Sequence, residues 1–146
     1  MAKALDFDKG LVEYEVNGDY TFSFNPTDEG FVAGMEEALG ALEGLQGRIA
    51  GDKSFAAFRE LDAEMRAIID GLLGDGASEA LFGGMNCYAI ADGLPVWMNL
   101  FLALMDEVAE AYEREFGKTD ARFKAHEEKY GAMMAKYRGK TAKGKR

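Results

Sequence analysis

The chain has little of what usually carries chemistry. It has one cysteine, Cys87, and one histidine, His126, 39 residues apart. That is too few ligands at too wide a spacing for an ordinary zinc site. A lone cysteine also excludes an internal disulfide and suits a reducing compartment. Long apolar runs are absent. The longest, Leu94 to Met105, spans 12 residues and is interrupted only by Asn99. A membrane-crossing helix needs about 20, so this run reads as a core helix. The N-terminus, Met1 to Asp6, turns acidic before any apolar stretch forms, so no secretory signal is expected. No Asn-x-Ser/Thr acceptor occurs, because Asn25 is followed by Pro26.

Two motif fragments fail on inspection. "DFDKG" at residues 6–10 resembles the start of a calcium loop. Such a loop needs an oxygen ligand where Gly10 stands, glycine where Leu11 stands, and glutamate where Asn17 stands. Gly139-Lys140-Thr141 resembles the end of a phosphate loop, yet the required upstream glycine falls on Met134. His126 lies among Lys124, Glu127 and Glu128 with no nucleophile in view, and reads as a surface histidine. Cys87 has no basic sequence neighbour to lower its pKa and reads as a small buried apolar side chain. The carboxylates of "MEEAL" and "EVAEAYERE" read as solvated helix faces. No catalytic residue, cofactor or metal is expected.

What is present is a body and a tail of opposite charge. Residues 1–117 carry 7 basic and 23 acidic groups, a net of −16, whereas residues 118–146 carry 10 basic and 3 acidic groups, a net of +7. The acidic body repels nucleic acid at long range. The basic end suits an anionic partner or the chain's own acidic body. A length of 146 residues is enough for one domain with a substantial core.

The expected fold is α+β, predominantly α: an N-terminal β-hairpin at 11–24 packed on a bundle of four to five helices, as a single domain over 1–138 with a flexible basic tail at 139–146. In "LVEYEVNGDYTFSF", Val12, Tyr14, Val16 and Tyr20, Phe22, Phe24 alternate with polar residues around Asn17-Gly18. A two-residue turn would put the two apolar sets on opposite faces. A three-residue loop with Gly18 left-handed puts them on one face, and is preferred.

A helix is expected from Thr27 as N-cap, with the stripe Phe31, Met35, Ala38, Leu42, Leu45 and Ile49. Gly34, Gly40, Gly44 and Gly47 fall mostly opposite that stripe. They mark either a solvent face of poor helix propensity or a place where a second backbone approaches. A second helix runs from Ser54 to Leu73 along Phe55, Phe58, Leu61, Met65, Ile68, Ile69 and Leu72, capped by Gly74. A helical turn at Ser78 to Phe82 and a short helix at Met85 to Ala91 follow, the latter broken by Asp92-Gly93.

Pro95 suits the first turn of the central helix. Met98 and Leu102 widen its apolar face, so its first three turns are expected to be surrounded by protein. It ends near Phe116-Gly117. A last helix from Thr119-Asp120 carries Phe123, Tyr130, Met133, Met134 and Tyr137 along one side, among Lys118, Arg122, Lys124, Lys129 and Lys136. These five apolar residues are the expected partner-binding set. They are equally placed to close the core against the hairpin.

The order of features is a hairpin with Asn17-Gly18, an acidic helical body, "GLLGDGASEALFGGMN" ahead of a helix, and a basic end. It resembles the small tail assembly chaperones of long-tailed bacteriophages and prophages. The likeness is sharpest over residues 71–86, at Gly74, Gly76, Ser78, Phe82, Gly83 and Asn86. The resemblance implies a protein of the host cytoplasm that binds the tape-measure protein, a very long helical chain, and keeps it soluble during tail assembly. It also implies self-association and no turnover. Another phage structural adaptor or tail accessory protein is the alternative. An enzyme or a nucleic-acid module is the third reading, and the basic tail is the only feature that favours nucleic acid.

Overall fold

The computed structural model describes residues 1–18, 20–49, 54–129 and 131. The backbone separates into two compact units, Met1–Ala109 and Glu110–Arg146.

The first unit opens with a segment without regular secondary structure, residues 1–11, in which Leu5, Phe7 and Leu11 are exposed. Its end is pinned where Asn25 Nδ2 donates to the Lys9 carbonyl at 2.8 Å. Strands β1 (Val12–Val16) and β2 (Tyr20–Phe24) then pair antiparallel, with Val16 opposite Tyr20 and Val12 opposite Phe24. Three residues close the loop, and Asn17 and Gly18 take φ of 53° and 79°. This is the register the alternation requires: Tyr14, Phe22 and Phe24 share the inner face and pack on the core, while Glu13, Glu15, Thr21 and Ser23 are exposed.

Helix α1 spans Glu29–Gln46. Its N-cap is Asp28, one residue past the expected Thr27, and the Asp28 side chain accepts from the Gly30 N–H at 2.9 Å. Thr27 is instead held by Asn25 Oδ1, which accepts from both its N–H and its hydroxyl at 2.8 Å. The Phe31 ring stacks on Phe24 with centroids 4.0 Å apart, joining the hairpin to the helix. Met35, Ala38 and Leu42 are buried, as the stripe predicts. Gly40 and Gly44 face open space, whereas a Cβ on Gly34 would stand 3.5 Å from Leu72 Cδ1. The solvent-face reading therefore holds at Gly40 and Gly44, whereas Gly34 has a neighbouring side chain, not a second backbone, at ordinary van der Waals distance.

Helix α2, Phe55–Leu73, has the expected ends, with Ser54 as N-cap and Gly74 as C-cap. Leu61, Met65 and Ile69 are buried, but Phe55 and Phe58 at its start are exposed. Helix α3 is short, Ala77–Phe82. The short helix expected at Met85–Ala91 does not form. Residues 83–89 run as turn and loop into strands β3 (Ile90–Ala91) and β4 (Leu94–Pro95), with Ala91 opposite Leu94. Asp92 and Gly93 take φ of 52° and 80°, the left-handed pair that closes a two-residue hairpin. Asp-Gly here turns the chain between strands and does not terminate a helix.

Helix α4 spans Val96–Phe116, directly after Pro95. The first N–H groups of a helix lack partners within it. Here the Val96 N–H donates to the Ala89 carbonyl at 2.8 Å and the Trp97 N–H to the Cys87 carbonyl at 2.9 Å. Trp97, Phe101 and Leu104 join Met35, Leu42, Met65 and Ile69 in the core. The Trp97 indole N–H donates to Gln46 Oε1 at 2.8 Å, which satisfies the one polar atom of a ring that is 1% exposed. The first turns of α4 are not enclosed on all sides: Leu102 is 41% exposed and Ala103 is exposed as well. No described helix is long and apolar enough to cross a membrane.

In the second unit a turn at Gly117–Lys118 precedes a helix over residues 119–129. Every residue of 113–129 is exposed. Residues 139–146, the expected flexible tail, lie outside the described residues.

Candidate functional site

A row of charged side chains on α2 fastens the irregular segment 74–88. Asp62, Arg66 and Asp70 stand four residues apart, on one side of the helix. Asp62 Oδ1 accepts from the Cys87 N–H at 2.8 Å, and Asp62 Oδ2 pairs with Arg66 Nε at 2.9 Å. The Arg66 guanidinium then donates to the carbonyls of Gly83 and Met85, at 2.8 and 2.6 Å. Asp70 Oδ1 accepts from the Ser78 N–H at 2.7 Å. Four backbone groups in α3 and the loop after it, those of Ser78, Gly83, Met85 and Cys87, are thus satisfied by three side chains of a rigid helix. Cys87 is fully buried in this arrangement. Burial, and then the Asp62 carboxylate beside it, push its thiol up to about 12. It is a protonated core group near neutral pH.

The segment held in this way forms one wall of a cleft. Leu81, Phe82 and Met85 face Val96, Asn99, Leu100 and Ala103 on α4, and Val16 and Asn17 at the tip of the first hairpin close the third side. The cleft measures about 290 Å³. That is just below the ~300–1,000 Å³ of typical small-molecule sites. Its lining contains no ionisable side chain. Seven of its nine residues are apolar, and the two amides, Asn17 and Asn99, are its polar groups. Asn99 Nδ2 donates to the Ala91 carbonyl at 2.8 Å, which ties the small β3–β4 hairpin to α4. Lower on the same flank, the Tyr14 hydroxyl donates to Glu107 at 2.9 Å and fixes the first hairpin against the helix. A space of this size and lining accepts one or two apolar side chains of a partner. It offers nothing to move a proton or attack a carbon.

A second concavity, of about 330 Å³, lies between α1 and α2 and is lined by Gly34, Glu37, Ala38, Ala41, Ile68, Gly71 and Leu72. Its floor is the packing seam of the two helices, where Gly34 approaches Leu72. Among the described residues no group of three or more His, Cys, Asp or Glu side chains is placed to hold a metal ion.

Of the five residues expected to contact a partner, Phe123 is on the exposed helix 119–129 and is itself 53% exposed. Tyr130, Met133, Met134 and Tyr137 lie outside the described residues. His126 is exposed, with its Nδ1 3.2 Å from the Arg122 carbonyl. Met98 and Met105 are partly buried against the core. The cleft residues were missed by sequence reading because they come from three distant segments. The available signals were Asn99, the single polar residue in the apolar run, and Ala103, a small residue on an otherwise bulky face.

No family model matches the chain, and neither the curated proteins nor the solved structures include a significant match to it.

Proposed function

We propose that this chain is a binding protein whose cleft covers the apolar stripe of a partner helix, and that its role is that of a tail assembly chaperone for a long-tailed phage. The client would be the tape-measure protein, held soluble until the tail tube closes around it. The cleft carries this reading: an exposed apolar groove, free of ionisable groups, on an otherwise acidic body. Its wall residues Leu81, Phe82 and Met85 come from the same 71–86 stretch whose glycines, Ser78, Phe82 and Asn86 resemble that family. An amphipathic helix is the natural occupant of such a groove. One or two inserted side chains supply roughly 1.5–3 kcal/mol each, which is weak after the cost of association. Many copies along one long client therefore act through avidity, and the acidic surface keeps the assembly in solution.

Co-expression with a tape-measure protein, the long helical client this reading names, tests it. The client should be soluble with the wild-type chain and aggregate with Ala103→Arg, a change at an exposed position that fills the cleft. Equal client solubility with and without the chain would remove the proposal. Recovery of the chain as a component of purified virions would favour a structural adaptor instead.

A further inference from the structure

Residues 1–11 end in a built turn. The Asp8 side chain accepts from the Gly10 N–H at 2.8 Å, and Gly10 takes a φ of 69°. Asn25 closes over this turn: its Nδ2 donates to the Lys9 carbonyl, and a Cβ on Gly10 would stand only 2.7 Å from that nitrogen. Glycine is required there twice over, for the backbone angle and for the space. Strand β1 starts two residues later, at Val12, and its sheet consists of β1 and β2 alone, so the other edge of β1 has no described partner strand. Leu5 and Phe7, on the far side of the turn, are 88% and 75% exposed.

With Lys9-Gly10 as a two-residue loop, the segment before the turn falls into register with β1. Phe7 comes opposite Val12, Leu5 opposite Tyr14, and Lys3 opposite Val16. Both apolar side chains then lie on the inner face, where they extend the rows that Val12 forms with Phe24 and Tyr14 with Phe22. A slip by one residue would turn both to solvent. The outer face accounts for the open position: Asp6 comes opposite Glu13, and like charges directly across a strand pair repel. We propose that residues 3–7 are a strap that closes on the free edge of β1 as a third antiparallel strand, drawn in by Leu5 and Phe7 and held off by Asp6 against Glu13. Closed, the strap covers an edge otherwise open to strand addition by another extended chain. It also brings Lys3 beside Val16, a wall residue of the cleft. The strap requires neither the phage role nor a client.

Nuclear magnetic resonance on the isotope-labelled full chain, without client, tests this. Asp6→Thr removes the repulsion and supplies a residue that favours strands. It should show cross-strand contacts from Phe7 to Val12 and from Leu5 to Tyr14, and should slow amide exchange in residues 4–7 by about tenfold relative to wild type. Wild type should move the same way between about 50 mM and 500 mM salt, as the charges are screened. Adding Gly10→Ala to the Asp6→Thr variant should abolish both contacts, with the fluorescence of the buried Trp97 unchanged as the check on folding. An Asp6→Thr variant whose residues 4–7 exchange as freely as in wild type overturns the proposal, as do contacts in another register, such as Phe7 with Leu11. Contacts that persist undiminished with Gly10→Ala overturn it too, because the turn would not be the root of the strap. In a mixture of labelled and unlabelled chains, contacts found only between different copies would make the added strand a neighbour's and overturn it equally.

Discussion

Replacing Asp62 with alanine should be among the most damaging single polar changes in this protein. The carboxylate makes two charge-assisted contacts, to the Cys87 N–H at 2.8 Å and to Arg66 at 2.9 Å, and the Asp62 and Arg66 side chains are only 20% and 19% exposed. A hydrogen bond to a charged group contributes about 1.5–3 kcal/mol, and the buried N–H left behind has no water to turn to. Arg66 keeps the Gly83 and Met85 carbonyls, so its charge is not stranded. The expected loss is therefore about 3 kcal/mol, a large share of a typical domain's 5–15 kcal/mol. It corresponds to a drop of roughly 10 °C in melting temperature. Asp62→Asn retains an acceptor for Cys87 and gives up the ion pair, so it should lose only about 1 kcal/mol. Urea titration followed by Trp97 fluorescence measures both, since Trp97 is the single tryptophan and is 1% exposed. An alanine variant within about 0.5 kcal/mol of wild type would refute the idea that α2 holds segment 74–88 in place.

Three further outcomes follow from the same geometry. Because Cys87 is raised from 9.0 to about 12 in the folded state, its contribution to stability is complete below pH 9 and is lost as pH climbs toward 12; thiol labelling at pH 8 should track global unfolding and proceed faster in Asp62→Ala. Gly40→Ala combined with Gly44→Ala should stabilise the protein by about 1–2 kcal/mol in denaturant titration, since both positions are helical and face open space. Tyr14→Phe removes the 2.9 Å hydrogen bond to Glu107 and should lower stability by about 1 kcal/mol, with faster hydrogen exchange across β1 and β2.

The elements that local rules dictate were legible from sequence. A two-residue turn would split the six alternating apolar residues around Asn17-Gly18 between two faces, a three-residue loop puts them on one, and Val16 pairs with Tyr20 accordingly. Ser54 and Gly74 bracket α2 because capping chemistry is local. Segment 83–95 was not legible. Its conformation depends on Asp62 and Arg66, about twenty residues upstream, whose i,i+4 spacing looks like any surface pair on an amphipathic helix. Asp92-Gly93 stops helices and turns hairpins with the same residues, and the two-residue pairing of β3 with β4 is too short to leave an alternation. The enclosure of α4 was overestimated for a related reason. Periodicity says which side of a helix is apolar, but not whether the remaining protein has enough elements to cover all of it, and Leu102 and Ala103 stay exposed. That uncovered flank is where the cleft lies, so the site was hidden in the stretch whose apolar content was plainest.

Hydrogen–deuterium exchange with and without an excess of the helical client tests the central claim most directly, because it reports which backbone segments a partner covers. Protection should appear together at residues 81–85 and 96–103 and at the tip of the first hairpin, with α1 unchanged. Protection confined to the groove between α1 and α2, with the cleft segments exchanging as in the free protein, would contradict the account.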